Sequence, residues 1–213
     1  MMDIQSPSSA LKISSLKRIH GRAVLTLSSG ESIPMPRAML RERPYKSGMP
    51  FDRTAFDTFL RERSYAFALE KAVALLASRA RTEKEIVDAL QKNAYPETTI
   101  ARVMARLHEA GYINDEDFAA QWAAARTAKG MGIRRIRMEL RQKGVDQAQI
   151  DQTLTAVDED EWLSGALKAA QKAARGKNLS SPADNQKIIA ALARRGYDFS
   201  IARRALNSLI ESE

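Results

Sequence analysis

The sequence lacks cysteine altogether, since none occurs among its 213 residues. Disulfide bonds, thiolate metal sites and cysteine nucleophiles are therefore excluded, and the absence suits a reducing compartment. Histidine is almost as scarce. Only His20 and His108 are present, and neither has a partner at the spacing of a metal site. We therefore expect neither a metal ion nor a cofactor.

Long apolar runs are also missing. No stretch approaches the roughly 20 apolar residues that cross a bilayer, and residues 1–10 lack the basic start and apolar core of a secretory signal. Hydrophobic residues still form 44% of the chain, which is enough to bury a core. These features predict a soluble, cytoplasmic protein that makes no membrane contact, with residues 1–10 as a flexible tail.

Acidic residues are fewer than basic residues. The chain has 34 Lys and Arg against 26 Asp and Glu, so its formal net charge is +8. A basic balance favours a nucleic acid, an acidic protein surface or a nucleoprotein assembly as the partner. The other explanation is that the positive charge only keeps the protein soluble. The placement of the charges along the chain distinguishes this explanation from a binding partner.

Residues 11–42 have the pattern of a small β-rich extension. Apolar and β-branched residues alternate over 23–27, and the turn signal Ser-Ser-Gly-Glu follows at 28–31. A small hairpin or three-stranded ribbon is predicted here, and such a unit must pack on something else to be stable. Residues 43–64, with two prolines and a glycine, are predicted to be a linker and a lead-in helix.

From about residue 54 the apolar period becomes helical, and one pattern occurs three times. In each copy an isoleucine precedes a leucine by four residues, and a small residue follows the leucine by four. Further amphipathic stretches lie on both sides of each copy, so the repeating unit is three helices. The small residues of the three copies are Ala94, Gly144 and Gly196.

The sequence therefore predicts a mainly α protein with three tandem three-helix repeats, at 65–113, 114–157 and 158–213. Because a three-helix unit exposes an apolar face, the repeats should stack into an elongated, curved array. The glycines of the second and third copies are expected to be left-handed residues that end a helix. Ala94 departs from this pattern, so Asn93 is the candidate for that position in the first repeat.

The sequence offers few candidates for a catalytic motif. The run Lys129-Gly130-Met131-Gly132 resembles a phosphate-binding loop, but the flanking pattern of the nucleotide motifs is missing, so we interpret it as a loop between helices. The acidic runs 115–117 and 158–161 could be magnesium ligands of a nuclease. Both runs open a predicted helix, where carboxylates cap free amides and contribute roughly 0.3–1 kcal/mol each. We predict capping, and no catalytic residue.

Basic side chains form the most suggestive pattern. On a predicted helix over 133–143, isoleucines and a leucine spaced by three and four form the apolar face, and arginines fall on a neighbouring exposed stripe. Glu139 is the main compensating acid there, whereas a solvated face normally mixes the signs. We therefore predict a binding face. Its candidate residues are Arg126, Lys129, Arg134, Arg135, Arg137, Arg141 and Lys143, with a second cluster at Arg194, Arg195, Arg203 and Arg204.

With these residues in view, the chain resembles the RecX family. The segment 132–145, GIRRIRMELRQKGV, is similar to the most diagnostic segment of that family. Segments 76–86 and 111–119 resemble its opening helix junction and the boundary between its first two repeats. The resemblance covers about residues 65–211. The third repeat is looser, and Ile133 stands where the family often has proline, which weakens position-by-position comparison.

The resemblance implies a protein that is not an enzyme. Such a protein would lie along the groove of the RecA–single-stranded DNA filament and modulate, by inhibition, its ATPase, strand-exchange and co-protease activities. It would thereby act in recombinational repair and the SOS response. Weaker, non-specific binding of single- or double-stranded DNA is expected, with the basic residues as electrostatic docking groups. We expect a monomer, because no heptad seam is left uncovered.

Two further interpretations stay open. An autonomous, non-specific DNA-binding helical repeat protein would also use an arginine-rich helix, because three-helix units can place one helix in a DNA groove. A general helical scaffold with another partner is the third. Titration of RecA ATP hydrolysis distinguishes these interpretations from a filament regulator.

Overall fold

The computed structural model describes residues 11–212. The chain divides into two compact units, Met1–Ile113 and Asn114–Glu213, which we call the N-terminal and the C-terminal unit. The predicted flexible tail, residues 1–10, lies outside the described residues. No helix in the described part is long and apolar enough to cross a membrane.

The N-terminal unit begins with the predicted three-stranded ribbon. Its strands are β1 (Ile13–Ile19), β2 (Arg22–Leu27) and β3 (Ser32–Pro36), which form an antiparallel sheet in the order β1-β2-β3. Alternate residues of β2 are buried, as expected for a sheet with one covered face. A 3-10 helix, Arg37–Arg41, follows directly. The ribbon predicted from the alternating pattern is thus confirmed.

The sheet packs on the first group of three helices. These are α1 (Arg53–Ser78), α2 (Glu83–Lys92) and α3 (Glu97–Glu109). Leu25 of the sheet and Leu90 of α2 belong to one buried core, which meets the requirement that the ribbon have a partner. Because α1 is continuous, the predicted boundary between lead-in helix and first repeat falls inside a single helix.

The C-terminal unit contains two further groups of three helices around a second core. The repeat isoleucines and leucines of both groups, at 136, 140, 188 and 192, are fully buried. A mainly α fold with three three-helix repeats is therefore confirmed, while the predicted limits of the repeats stay a prediction. The helices are α4 (Asp115–Ala128), α5 (Ile133–Gln142), α6 (Gln147–Thr155), α7 (Glu159–Ala174), α8 (Pro182–Arg194) and α9 (Phe199–Glu211).

Each repeat has a left-handed residue after its second helix. Gly144 and Gly196 have φ of +84° and +92°, as predicted. Asn93 is the C-cap residue of α2, but its φ is −87°, and the left-handed residue is Ala94 with φ of +62°, so the assignment of the left-handed conformation to Asn93 is wrong. The turn needs a left-handed residue at this one position, so the first repeat accepts the strain that a Cβ atom brings, about 1–2 kcal/mol.

The acidic runs lie at helix starts, as predicted. Asp158 caps α7 by accepting a hydrogen bond from the Asp160 amide at 3.1 Å. In α4 the capping residue is Asn114, which accepts from the amides of the second and third helical residues, and the three acids occupy the first turn. These carboxylates therefore stabilise helices.

Candidate interaction surface on helix α5

The start of α5 is held by the turn between α8 and α9. No side chain among residues 11–212 caps this helix. Instead the Gly132 amide donates to the Arg195 carbonyl at 2.8 Å, and the Arg134 amide donates to the Gly196 carbonyl at 3.0 Å. Amides at a helix start have no partner within their own helix, so the third repeat satisfies two donors of the second.

Two glycines make this backbone contact possible. A Cβ atom added at Gly132 would lie 2.3 Å from the carbonyl carbon of Gly196, and one added at Gly196 would lie 2.5 Å from the amide nitrogen of Arg135. Neither distance can be relieved by rotating a side chain, because the opposing atoms are backbone. The junction therefore joins the first turn of α5 to residues 195 and 196, and it brings Arg134 and Arg135 of the first predicted basic cluster next to Arg195 of the second.

We call the basic residues Arg134, Arg135, Arg137 and Arg141 of α5 the arginine face. Arg134, Arg135 and Arg141 are exposed, and Arg137 is partly buried. Arg134 faces Asp198 at the start of α9. Burial raises the pKa of Asp198, but hydrogen bonds from the Ile201 amide and Ser200, together with Arg134, outweigh it and hold this pKa below its usual range.

Glu139 is the centre of a polar network behind this face. The Trp122 indole N–H donates to Glu139 Oε2 at 3.1 Å. Arg126 Nε lies 2.7 Å from the same oxygen, and Arg135 Nε donates to Oε1 at 3.2 Å. The Arg126 contact is an ion pair whose N–H is not directed at the oxygen. Because the Glu139 side chain is only 13% exposed, this carboxylate holds Arg126 and Arg135 in position.

An aromatic pair on α4 lies beside the network. The rings of Phe118 and Trp122 stack with centroids 5.7 Å apart. The Lys143 ammonium lies 4.3 Å from the Trp122 centroid, and the Arg126 guanidinium lies 4.4 Å from it. Cation–π contacts of this kind contribute roughly 0.5–2 kcal/mol each. The sequence prediction omitted both aromatic residues, although their spacing to Arg126, four and four, would have placed all three on one face of α4.

Helix α6 contributes an acid that the helical projection of α5 could not show. Arg137 Nη2 donates to Asp151 Oδ1 at 3.2 Å, and Gln147 Nε2 donates to the other Asp151 oxygen at 2.7 Å. Arg141 in turn donates to the Gln147 side-chain oxygen at 2.7 Å. The positive charge of the arginine face is therefore better neutralised than the sequence of α5 alone predicts, because Asp151 of α6 pairs with Arg137.

The remaining predicted residues differ in their surroundings. Arg195 is partly buried and donates to the Gly130 carbonyl at 3.3 Å. Lys129, Arg141 and Arg194 are exposed, and none forms an ion pair within residues 11–212. The surface thus presents exposed cations beside cations that are already held by the protein. This combination suits acidic groups on a partner.

Three family models match the chain in the order of its repeats. They describe the first, second and third three-helix domains of RecX and match residues 68–107, 114–154 and 159–206. Their combined length is more than half of the chain. The second of them covers α4, α5 and most of α6, which includes the arginine face.

Individual relatives agree with the family models. The regulatory protein RecX of Mycolicibacterium smegmatis is 36% identical over 162 residues, which cover 73% of this chain and 85% of the relative. RecX of Levilactobacillus brevis is 31% identical over 191 residues, 89% of this chain and 72% of the relative.

Solved structures share the fold. A crystal structure of regulatory protein RecX superposes with a TM-score of 0.63 at 24% identity, covering 92% of this chain and 99% of that one. RecX from Lactobacillus salivarius gives a TM-score of 0.64 at 22% identity, covering 68% of this chain and 96% of that one. Three matching repeat domains, the relatives and the shared fold agree: this chain belongs to the RecX family of regulatory proteins.

Proposed function

We propose that this protein binds the RecA–single-stranded DNA filament and inhibits its ATPase, strand-exchange and co-protease activities. Through that inhibition it controls recombinational repair and the SOS response. It acts as a monomer in the cytoplasm, by binding alone, and catalyses no reaction itself. Membership of a family of regulatory proteins supports the role. The observation that carries it is the arginine face, held on α5 by the third repeat.

The arginine face is suited to an acidic protein surface or to nearby phosphates. Arg137 and Arg141 are held by Asp151 and Gln147, so these side chains lose little further conformational freedom when a partner binds. The three repeats are linked, and contacts on linked modules gain strength through effective concentration. A filament that offers the same surface many times is therefore bound without any single strong contact.

The test measures single-stranded-DNA-dependent ATP hydrolysis by RecA of the same organism, with this protein titrated well below the RecA concentration. DNA is kept in excess, so that competition for DNA cannot mimic the effect. We expect strong inhibition at low ratios. Replacing Arg134, Arg137 and Arg141 together with alanine should raise the half-inhibiting concentration by about tenfold, because electrostatic docking is weakened. Alanine suits a helix, so α5 should still form.

A matched control replaces Lys17, Arg61 and Lys92 of the N-terminal unit with alanine. These residues are exposed, and the variant loses the same charge as the α5 variant. The control should inhibit RecA like the unaltered protein. Equal weakening in both variants would assign the effect to net charge, and full inhibition by the α5 variant would remove the arginine face from the interaction.

The second candidate is an autonomous, non-specific DNA-binding protein. The net charge of +8 and the exposed arginines favour it. Such a protein would bind bare DNA tightly, with an affinity that falls steeply with salt concentration. It would leave RecA ATPase unchanged when DNA is in excess, so the same titration distinguishes the two functions.

A further inference from the structure

A basic cavity lies within the C-terminal unit, where α4 ends and the turn towards α5 begins. Its volume is about 300 Å³, at the lower end of the range of ligand pockets. The walls are the end of α4 with the following turn, one face of α7, and Arg195. We call it the α7 cavity.

The walls of the α7 cavity carry four cations and one carboxylate. Lys168 and Lys172 project from successive turns of α7, Lys129 comes from the turn after α4, and Arg195 comes from the turn after α8; the acid is Glu161. The ammonium groups of these three lysines form no ion pair or hydrogen bond with any residue in 11–212. Like charges one helical turn apart repel each other. An anion between Lys168 and Lys172 would relieve that repulsion.

Two buried hydroxyl groups lie at the same place. Thr127 lines the cavity and is 5% exposed, and its hydroxyl has no hydrogen-bond partner within the described chain. The Tyr197 hydroxyl is also without a described partner, and it would lie 2.8 Å from a Cβ atom added at Gly165 of the cavity wall. Burial raises the pKa of Tyr197 to about 12, more than Arg195 lowers it, so the hydroxyl keeps its proton at neutral pH.

Because Gly130 and Gly165 have no side chains, the part of the cavity wall that they form stays open. Gly130 has φ of +69°, which favours glycine, and Arg195 donates to its carbonyl at 3.3 Å. Arg195 is thereby fixed at the edge of the cavity, while the lysines remain free to close over an occupant. Buried hydroxyls without partners are uncommon in proteins and call for an explanation. A ligand with several acceptor oxygens provides one.

We propose that the α7 cavity binds a phosphate group of a nucleic-acid backbone. A tetrahedral anion with several acceptor oxygens suits ammonium, guanidinium and hydroxyl donors that surround it. The remaining lining residues are Ser164, two alanines and two glycines, and no aromatic ring of the described chain lines the cavity to stack a base. Binding should therefore be insensitive to base sequence. This inference rests on the proposed binding to a filament that contains single-stranded DNA, and it names a site that would contact the DNA backbone.

The first test measures the affinity of the full chain for a fluorescent oligothymidylate by anisotropy, without RecA. The variant Lys168→Ala with Lys172→Ala should bind at least about fivefold more weakly. Since each phosphate contact on a single strand contributes about 0.7 to the magnitude of the slope of log affinity against log salt concentration, loss of the one proposed contact should reduce that magnitude by about 0.7. The matched control, Lys17→Ala with Lys92→Ala, loses the same charge and should change affinity less than twofold. Equal weakening in the two variants would overturn the site.

A second variant leaves the lysines in place. Ser164 is exposed at the mouth of the cavity, so Ser164→Glu introduces a competing carboxylate without disturbing the core, and Ser164→Gln is its neutral control. We expect the glutamate variant to bind the oligonucleotide about as weakly as the double alanine variant, with the glutamine variant unchanged. If both Ser164 variants bind like the unaltered chain, the cavity does not hold the phosphate.

Nuclear magnetic resonance distinguishes the sources of phosphate. The amide signals of Gly130 and Gly165 are followed while oligothymidylate, ATP or inorganic phosphate is added at constant ionic strength. Shifts at micromolar oligonucleotide, with millimolar concentrations needed for the other two, are expected. Saturation by ATP at lower concentration than by the oligonucleotide would overturn the backbone assignment in favour of a free nucleotide. No shift with any probe would overturn the site itself, and neither result depends on the RecA assay.

Discussion

The turn that follows the second helix of a repeat is packed in two different ways in the two units. In the C-terminal unit, the turn with Gly196 meets Gly132 through backbone hydrogen bonds. In the N-terminal unit, the equivalent turn meets the β1–β2 hairpin, where the Asn93 side chain lies against Gly21. No backbone hydrogen bond joins these two segments within the described residues.

The ribbon takes the place of a neighbouring repeat at the first repeat's turn. In both units a neighbouring glycine faces the turn, but the neighbour is a preceding repeat in one case and a β hairpin in the other. Repeat proteins need terminal elements that differ from the internal ones, because an end repeat has no neighbour on one side. The ribbon therefore serves as an N-terminal cap for the first repeat, and its contact through a side chain tolerates more change than a backbone contact.

The largest expected effect tests the backbone contact. Gly132→Ala should lower the free energy of unfolding by about 3 kcal/mol or more, because the new Cβ atom meets backbone atoms that cannot rotate away. Gly176→Ala is the control. Gly176 has φ of +72° but open space around it, so only strain of about 1 kcal/mol is expected. Chemical denaturation measures both, and equal losses would contradict the close packing.

A smaller effect is expected at the hairpin. Gly21→Ala places a Cβ atom 1.7 Å from Asn93 Oδ1, and Gly21 has φ of +80°. We expect a loss of about 2 kcal/mol, of which about half is backbone strain. The double variant Gly21→Ala with Asn93→Ala should recover the steric half of this loss in stability, because the new Cβ atom meets only the Asn93 side chain. A double-mutant cycle measures the coupling between Gly21 and Asn93. Additive losses would mean that removing the Asn93 side chain does not relieve the clash, so this contact would be as rigid as the backbone contact between Gly132 and Gly196.

The Glu139 network provides an intermediate test inside the C-terminal unit. Glu139→Gln should lower the free energy of unfolding by about 1–2 kcal/mol, because the partly buried Arg126 and the exposed Arg135 both lose their carboxylate partner. The same change adds one positive charge to the arginine face, so binding to an acidic partner should strengthen. Denaturation and anisotropy measured on one sample separate the two effects, and weaker binding would contradict the electrostatic model.

The smallest effect concerns the left-handed residue of the first repeat. Ala94→Gly should raise the free energy of unfolding by about 0.5–1 kcal/mol, because glycine adopts φ of +62° without steric strain. Gly144→Ala, at the equivalent turn of the second repeat, should lower it by a similar amount. A thermal melt of each variant shows the sign, and a destabilised Ala94→Gly protein would mean that the Ala94 methyl group packs usefully.

Local periodicity was sufficient to predict most of the fold. The alternation over 23–27 predicted the ribbon, and the isoleucine–leucine spacing predicted the second helix of every repeat. The junction between Gly132 and Gly196 was not predictable, since the two glycines are far apart in sequence and only tertiary packing brings them together.

The candidate surface was predictable only in part. Helical spacing predicted the arginine face because it depends on residues of one helix. It could not indicate Asp151 or Gln147, which come from α6, nor the contact of Lys143 with Trp122, which joins the end of α5 to α4. The α7 cavity was also missed, since its four cations come from three separate segments.

The hydrogen bonds at the start of α5 have an electrostatic consequence. The carbonyls of Arg195 and Gly196, in the turn after α8, accept hydrogen bonds from the first amides of α5, so they place partial negative charge at the positive end of the α5 dipole. A free helix start often binds anions, but here a peptide carbonyl already occupies that position. Anions approaching this part of the molecule are therefore left to the lysine and arginine side chains.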